Sequence, residues 1–161
     1  MTTDWPEPVA RVSGVLRAAA VDARIEEFPE GTPTAREAAA AVGCELGQIV
    51  KSLVLVCDGA YVLALVPGNR RADLDAIGAA LEAKDVRVAR ADEVVHATGF
   101  DPGGVAPFPQ RAVTRTLLDR ELLQHELVWI GAGTARHMAS LPPSELQRLT
   151  GAIPWDVSVR G

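Results

Sequence analysis

The sequence QIVKSLVLVCDGAYVLALVPG at positions 48–68 holds the two longest apolar runs of the chain, one on each side of Asp58-Gly59. An Asp-Gly pair between two such runs predicts a two-residue hairpin turn, because both residues tolerate positive φ. Counting back from this turn places Lys51 opposite Val66. Both predicted strands are apolar on both faces, which is typical of the middle of a sheet. We therefore expect the fold to be built around this hairpin.

Helical and strand patterns occur on both sides of the hairpin without strict alternation. Apolar spacing and capping residues predict helices over residues 8–20, 35–42, 73–82, 91–97 and 142–149. Shorter runs predict further strands over residues 21–28, 86–89, 111–118, 126–130, 136–141 and 155–159. This mixture predicts an α/β fold of the α+β type, with a mixed, curved, barrel-like sheet flanked by helices in a single domain over residues 1–161.

Composition excludes some classes of function. The net charge of −5 argues against a general nucleic-acid coat protein but leaves room for a local positive patch. Of the 16 basic residues 14 are arginine, which a GC-rich genome explains at least as well as phosphate binding. The first ten residues lack the basic and apolar segments of a leader, and the apolar runs are too short to span a bilayer. We expect a cytoplasmic protein without a membrane contact.

Lys51 is the residue that fits its surroundings least. Its strand is apolar on both faces, and a buried, unpaired ammonium group is costly. The side chain is therefore expected to reach a cleft, an acid or a ligand. The alternative is an edge lysine whose stem lies along Ile49 while its head reaches water. The position opposite Val66, at the open end of the hairpin, favours the cleft.

Two glycine-containing loops are the next candidates for a site. Gly103-Gly104 lies between two predicted elements, and Gly131 and Gly133 directly follow a predicted strand. Glycines at such positions let a ligand approach the backbone N–H groups. Their spacing fits neither a Walker motif nor a dinucleotide fingerprint, and for each loop alone ordinary tight turns are the favoured explanation. Thr98-Gly99 is likewise typical of a helix end.

Nucleophile and metal motifs give no further candidate. No serine stands in a G-x-S-x-G turn, and the two cysteines, Cys44 and Cys57, form no C-x-x-C pair. The histidines are far apart in sequence, although His137 follows the second glycine loop closely enough to line the same cleft. No metal and no cofactor is therefore predicted.

Six segments, taken in order, resemble the YbaK/EbsC family of prolyl-tRNA synthetase-associated editing domains. The segments are TPTAREAA at 32–39, QIVKSLVL at 48–55, PGNR at 67–70, ATGFDPGGVAP at 97–107, LDRELL at 118–123 and IGAG at 130–133. The resemblance covers about residues 20–150. It implies a free-standing enzyme that acts in trans and hydrolyses the ester joining a wrong amino acid to the 3′ end of a tRNA, typically proline tRNA. Alanine and cysteine are the leading amino acids, serine and threonine stay open, and a transient contact with prolyl-tRNA synthetase is implied.

The resemblance also implies roles for individual residues. Lys51 matches the functional lysine, Gly103 and Pro107 match a G-x-x-x-P loop that shapes the amino-acid pocket, and Gly131 and Gly133 match its glycine loop. The predicted catalytic residues are Lys51 and Gly133, and the predicted substrate-binding residues are Thr32, Ser52, Gly68, Thr98, Gly99, Gly103, Gly104, Pro107, Gly131 and His137. Some members carry serine at the position of Gly131, which leaves the preferred amino acid open.

Two other functions remain compatible with the sequence. One is a module that binds aminoacyl-tRNA or a nucleotide without hydrolysing it, and the other is a regulatory domain that kept the fold and lost the site. A deacylation assay with mischarged tRNA separates them from an enzyme.

Overall fold

The computed structural model describes residues 4–161 and shows helices and strands in mixed order. The leader prediction includes residues 1–3, which lie outside the described residues. The helices are α1 Glu7–Ala18, α2 Ala35–Val42, α3 Leu74–Leu81, α4 Ala91–Thr98 and α5 Pro143–Thr150. The strands are β1 Arg24–Glu27, β2 Val50–Cys57, β3 Ala60–Pro67, β4 Arg70–Ala72, β5 Val86–Val88, β6 Val113–Asp119, β7 Val128–Gly131, β8 His137–Leu141, β9 Ile153–Trp155 and β10 Ser158–Arg160. Among these residues no helix is long and apolar enough to cross a membrane.

The hairpin of β2 and β3 has the predicted register. Lys51 pairs with Val66 across the two antiparallel strands. Asp58 and Gly59 take φ values of 48° and 82°, the left-handed conformation that this turn requires. The Asp58 carboxylate accepts a hydrogen bond from the Asp85 N–H at 2.8 Å, which ties the turn to the segment before β5. The sequence prediction for this element is confirmed.

The strands form a mixed arrangement with the hairpin at its centre. A five-stranded sheet has the order β5-β2-β3-β6-β9, in which β5, β2 and β3 are antiparallel and β3, β6 and β9 are parallel. A three-stranded antiparallel sheet, β1-β8-β7, meets it through a bridge between Ile49 and Trp129, and β10 pairs with β4. The mixed α/β class is confirmed, with the strands of residues 4–161 divided among three sheets and not closed into one barrel.

The predicted strand over residues 155–159 is in fact two strands. β9 pairs with β6 in the large sheet, whereas β10 pairs with β4. The buried Asp119 carboxylate at the end of β6 explains the break, because it accepts hydrogen bonds from the Val157 N–H at 3.1 Å and the Ser158 hydroxyl at 2.6 Å. These bonds hold residues 157 and 158 at the end of β6, and β10 then pairs with β4.

The hairpin is buried on both faces, as its composition predicts. One face carries Val50 and Val54 into the main core, which includes residues of α1, α4 and α5, and the other packs Leu55 and Val66 towards α3. β5 pairs only with residues 55–57 of β2. The first half of β2 therefore extends beyond its edge partner, and Lys51 lies in this half.

Candidate functional site

A cavity of about 180 Å³ lies beside the first half of β2. Four elements meet there: the beginning of β2, the beginning of α2 with the loop before it, the loop 102–105, and the segment from the end of β7 to the start of β8. The lining residues are Thr32, Pro33, Thr34, Ala35, Ala38, Ile49, Val50, Lys51, Ser52, Pro102, Gly103, Val105, Gly131, Thr134, Ala135, His137 and Met138. The cavity thus joins segments that are up to about a hundred residues apart in sequence.

Lys51 supplies the positive charge of this cavity. Its side chain is half-buried, and its ammonium group donates a hydrogen bond to the Arg70 carbonyl just past the hairpin. Burial lowers the pKa of the Lys51 ammonium from its ordinary value. Among the lining residues that the structure describes, no carboxylate faces it and no other side chain carries a full charge. Such a cavity favours a ligand that carries negative charge.

Ser52 and Thr32 contribute polar groups to the same walls. The Ser52 hydroxyl is buried and has no hydrogen-bond partner among residues 4–161. An unpartnered buried hydroxyl costs about 1–3 kcal/mol. The Thr32 N–H donates to the Ala135 carbonyl at 3.1 Å and so holds the loop before α2 against the opposite wall.

The two glycine loops pack against each other, backbone to backbone. A Cβ atom at Gly104 would lie 2.7 Å from the Gly133 carbonyl oxygen, and one at Gly131 would lie 2.6 Å from the Val105 carbonyl oxygen. These close approaches alone require glycine at both positions, so no ligand is needed to explain either residue. Gly103 differs, since a Cβ atom there would meet only Ala135, at 3.7 Å. Gly103 and Gly131 line the cavity, whereas Gly104 and Gly133 do not.

Gly133, a predicted catalytic residue, faces helix α1. Its φ is 109°, and a Cβ atom would lie 2.7 Å from the Pro8 carbonyl carbon and oxygen. The close approach of α1 therefore explains this glycine in structural terms, and the sequence pattern did not reveal that contact.

His137 lies on the cavity wall with both ring nitrogens hydrogen-bonded. It is 3% exposed, its Nδ1 lies 2.6 Å from the Thr134 hydroxyl oxygen, and its Nε2 lies 3.1 Å from a carboxylate oxygen of Glu27. The ring of Trp5 packs edge-on against the imidazole at 5.6 Å. Sequence reasoning missed Thr134 and Glu27. Thr134 stands three residues before the histidine, a spacing that could have been noticed, but Glu27 depends on the pairing of β1 with β8.

Four other predicted binding residues lie off the cavity wall. Gly68 packs behind it, where a Cβ atom would lie 2.6 Å from the Leu46 carbonyl oxygen. The buried Thr98 hydroxyl donates to the Val94 carbonyl at 2.8 Å, and the Gly99 carbonyl accepts from Arg11 at 2.8 Å, so both groups are used at the end of α4. Pro107 lines a larger cavity of about 640 Å³ between the loop 107–110, β6 and α5. Lys51 is not on that larger cavity, so its size alone does not make it the functional site.

Thiol and metal chemistry have no visible place at the cavity. Burial, and then the nearby Asp58 carboxylate, raise the pKa of the Cys57 thiol, which lies in the core next to α3. Burial, and then Glu45, likewise raise the pKa of the Cys44 thiol. Within residues 4–161 no three His, Cys, Asp or Glu side chains converge in a group that could hold a metal ion. Hydroxyl groups, an imidazole and an ammonium group are the reactive groups on the lining.

The chain is similar to known proteins over most of its length. A family model described as an aminoacyl-tRNA editing domain matches residues 29–149. EbsC of Enterococcus faecalis, named as a candidate Cys-tRNA(Pro)/Cys-tRNA(Cys) deacylase, is 30% identical over 118 residues, which are 73% of this chain and 72% of EbsC. A proline–tRNA ligase of Lactobacillus johnsonii is 34% identical over 85 residues, but these residues are 15% of the ligase. The chain thus spans a small part of that relative.

A solved structure matches the whole fold. The crystal structure of a candidate trans-editing enzyme for prolyl-tRNA synthetase superimposes with a TM-score of 0.89 at 38% identity, covering 97% of this chain and 99% of that one. The family model, the relative and the solved structure all indicate an aminoacyl-tRNA editing domain, as the family resemblance implies. The chain belongs to the family of aminoacyl-tRNA editing domains.

Proposed function

We propose that the protein is a trans-acting deacylase that hydrolyses the ester bond of mischarged tRNA, with alanyl- or cysteinyl-tRNA(Pro) as its substrate. The observation that carries this proposal is Lys51, which within residues 4–161 is the one fully charged residue on the lining of a small cavity in an editing-domain fold. The 3′ end of an aminoacyl-tRNA offers phosphates, a ribose and an ester, and the phosphates supply the anion that such a cavity favours.

The size of the cavity supports a small amino acid. Its volume of about 180 Å³ is below the range of about 300–1,000 Å³ that is usual for pockets enclosing a drug-sized ligand. It therefore fits the aminoacyl group better than a whole nucleotide, so we place the terminal ribose and phosphate at the mouth of the cavity, beside Lys51. The small and apolar walls at Ala35, Ala38 and Met138 suit the side chains of alanine and cysteine.

In the mechanism that we propose, Lys51 holds the terminal ribose and phosphate and is not the nucleophile. The Gly104 N–H is already bonded to the Asp101 carbonyl at 2.9 Å, so Gly103 is the residue of that loop that we place beside the ester carbonyl. A backbone N–H at that point would stabilise the negative charge that develops on the carbonyl oxygen. Water attacks the carbonyl carbon, and positioning and electrostatics supply much of the rate because an aminoacyl ester is already activated.

A panel of proline tRNAs, each charged with one non-cognate amino acid, tests the proposal directly. We expect release of alanine or cysteine by the wild-type protein and an activity loss of about 100-fold or more in Lys51→Ala. Lys84→Ala is the matched control, because Lys84 is the other lysine of the chain and lies exposed before β5, away from the cavity. Thermal unfolding should show both variants folded.

The outcome also separates the enzyme from a binding module. A wild-type protein that binds mischarged tRNA and leaves every ester intact would be a binding module, and the deacylase proposal would then be wrong. Near wild-type hydrolysis by Lys51→Ala would show that the active site lies elsewhere.

A further inference from the structure

Thr134, His137 and Glu27 form a continuous hydrogen-bonded chain that leads from the cavity to the protein surface. The Thr134 hydroxyl oxygen is 2.6 Å from His137 Nδ1, and His137 Nε2 is 3.1 Å from the Glu27 carboxylate. Thr134 and His137 line the cavity, and Glu27 is the direct partner of His137 in the pairing of β1 with β8. The imidazole side chain is 4% exposed and that of Glu27 is 55% exposed.

The chemistry of the three groups sets the direction of each hydrogen bond. A carboxylate only accepts, so His137 Nε2 carries the ring proton and donates it to Glu27. When the ring carries only this one proton, His137 Nδ1 is an acceptor and the Thr134 hydroxyl donates to it. That hydroxyl also accepts from the Arg136 N–H at 3.1 Å. A hydroxyl has two acceptor sites, so Thr134 keeps one free to accept a proton from a molecule in the cavity.

We propose that Thr134 is a catalytic residue of the deacylation, receiving a proton from the attacking water, with His137 and Glu27 as positioning residues behind it. This proposal rests on the deacylase function proposed above. Lys51 is a cation, and within residues 4–161 the lining includes no carboxylate. Thr134 is the lining hydroxyl that has an imidazole nitrogen hydrogen-bonded behind it. General base catalysis of this kind contributes about 10²–10⁴-fold in rate.

The proposed step is balanced. As the water oxygen bonds to the ester carbonyl carbon, one water proton moves to the Thr134 oxygen, and the hydroxyl proton of Thr134 moves to His137 Nδ1. The resulting imidazolium lies beside the Glu27 carboxylate, which stabilises its charge. When the bond between the carbonyl carbon and the ribose oxygen breaks, the proton returns through Thr134 to that oxygen. The products are the free amino acid and a tRNA with its terminal hydroxyl restored.

The competing explanation is structural. The same bonds could do no more than hold the segment before β8 against β1. A purely structural role would make stability fall together with activity, whereas the relay requires the hydroxyl itself. Thr134→Val keeps the shape and removes the hydroxyl, and Thr134→Ser keeps the hydroxyl. Because valine also removes the structural bonds, the roles are separated by whether its loss of rate exceeds its losses of tRNA affinity and melting temperature.

The test is single-turnover deacylation of the mischarged tRNA that wild type hydrolyses fastest, with binding of the same tRNA measured separately. We expect Thr134→Val to lower the rate constant by about 100-fold or more with tRNA affinity kept, and Thr134→Ser to stay close to wild type. The rate constant of Glu27→Gln should lie between those of the two Thr134 variants. Its amide oxygen still accepts a hydrogen bond from Nε2, but the neutral amide no longer offsets the imidazolium charge. Thr114→Val, at a hydroxyl that donates to the Tyr61 carbonyl at 3.0 Å outside this cavity, is the matched control.

The outcomes distinguish the two proposals. If wild type hydrolyses no mischarged tRNA, the deacylase function fails and the relay fails with it. If wild type is active and Thr134→Val is equally fast, or if Val and Ser variants lose rate and melting temperature alike, the relay alone is wrong. Should Thr134→Val not fold, Glu27→Gln decides: a wild-type rate in that variant overturns the relay.

Discussion

At the scale of single residues, Lys51 shows what the sequence can and cannot reveal. Its place in an apolar strand and its pairing with Val66 follow from counting back from an Asp-Gly turn. The hydrogen bond from its ammonium group to the Arg70 carbonyl does not, because that contact depends on how the chain turns back after β3. Glu27 is a similar case, since an ordinary acidic residue in a strand gives no sign of a histidine 110 positions away.

The lowered pKa of Lys51 leads to a prediction about pH. Because burial lowers it from 10.5, the ammonium loses its proton at a lower pH than an ordinary lysine does. We expect enzymatic deacylation, after subtraction of spontaneous ester hydrolysis, to fall as pH rises through this lowered pKa. The free energy of unfolding should rise with pH between this lowered pKa and the ordinary lysine pKa. The reason is that the folded state binds fewer protons in this range than the unfolded state.

Lys51→Arg is the control for this pH dependence, because a guanidinium group stays charged throughout the range. If the arginine variant is active, its rate should show no such alkaline decline. If the rate falls at the same pH and by the same factor in wild type and in the arginine variant, another group is responsible for the decline. Unfolding curves recorded at each pH show whether loss of folded protein contributes.

At the scale of elements, local signals predicted the hairpin, the caps and the helices well. Thr34 caps α2 by accepting from the Glu37 N–H at 3.1 Å, and Asp73 caps α3 by accepting from the Ala76 N–H at 3.1 Å, both as the sequence indicated. Contacts between elements were not predictable in this way. The parallel pairing of β6 with β9 depends on groups that meet only after folding. The same is true of the break between β9 and β10, where Val157 bonds to the Asp119 carboxylate.

Gly133 provides a test at the scale of elements, because a sequence-based role in the pocket and its observed packing lead to different expectations. Gly133→Ala places a Cβ atom 2.7 Å from the Pro8 carbonyl, at a φ of 109° that alanine rarely adopts. We expect a loss of about 1–3 kcal/mol in the free energy of unfolding, measured with denaturant. Gly14→Ala is the matched control within α1, where a Cβ atom meets nothing within 4 Å. That variant should be more stable by about 0.5–1 kcal/mol.

A loss in the free energy of unfolding for Gly133→Ala, together with a gain for Gly14→Ala, would support a packing role for Gly133. A Gly133→Ala protein as stable as wild type but slow in deacylation would contradict it and favour the role in the pocket that the family resemblance implies.

At the scale of the whole molecule, charge limits how the protein meets a tRNA. The net charge is −5, and the arginines are distributed along the chain without a basic run. A protein of this kind gains little from a general attraction to phosphates. Its recognition should concentrate at the 3′ end, which in the proposed function is bound at the cavity lined by Lys51. The cavity is built from loops and strand ends around the central hairpin.

The dependence of tRNA binding on salt follows from this distribution of charge. Each phosphate contact contributes a slope of about −0.7 to −0.9 to a plot of log affinity against log salt concentration. We expect the protein to show a total slope of only about −1 to −2 with uncharged tRNA(Pro), and Lys51→Ala to make it shallower by about 1. Lys84→Ala, which removes a charge that is exposed and off the cavity, should leave the slope unchanged. A slope several times steeper, equally reduced by both lysine variants, would instead indicate a broad docking face in which Lys51 has no special part.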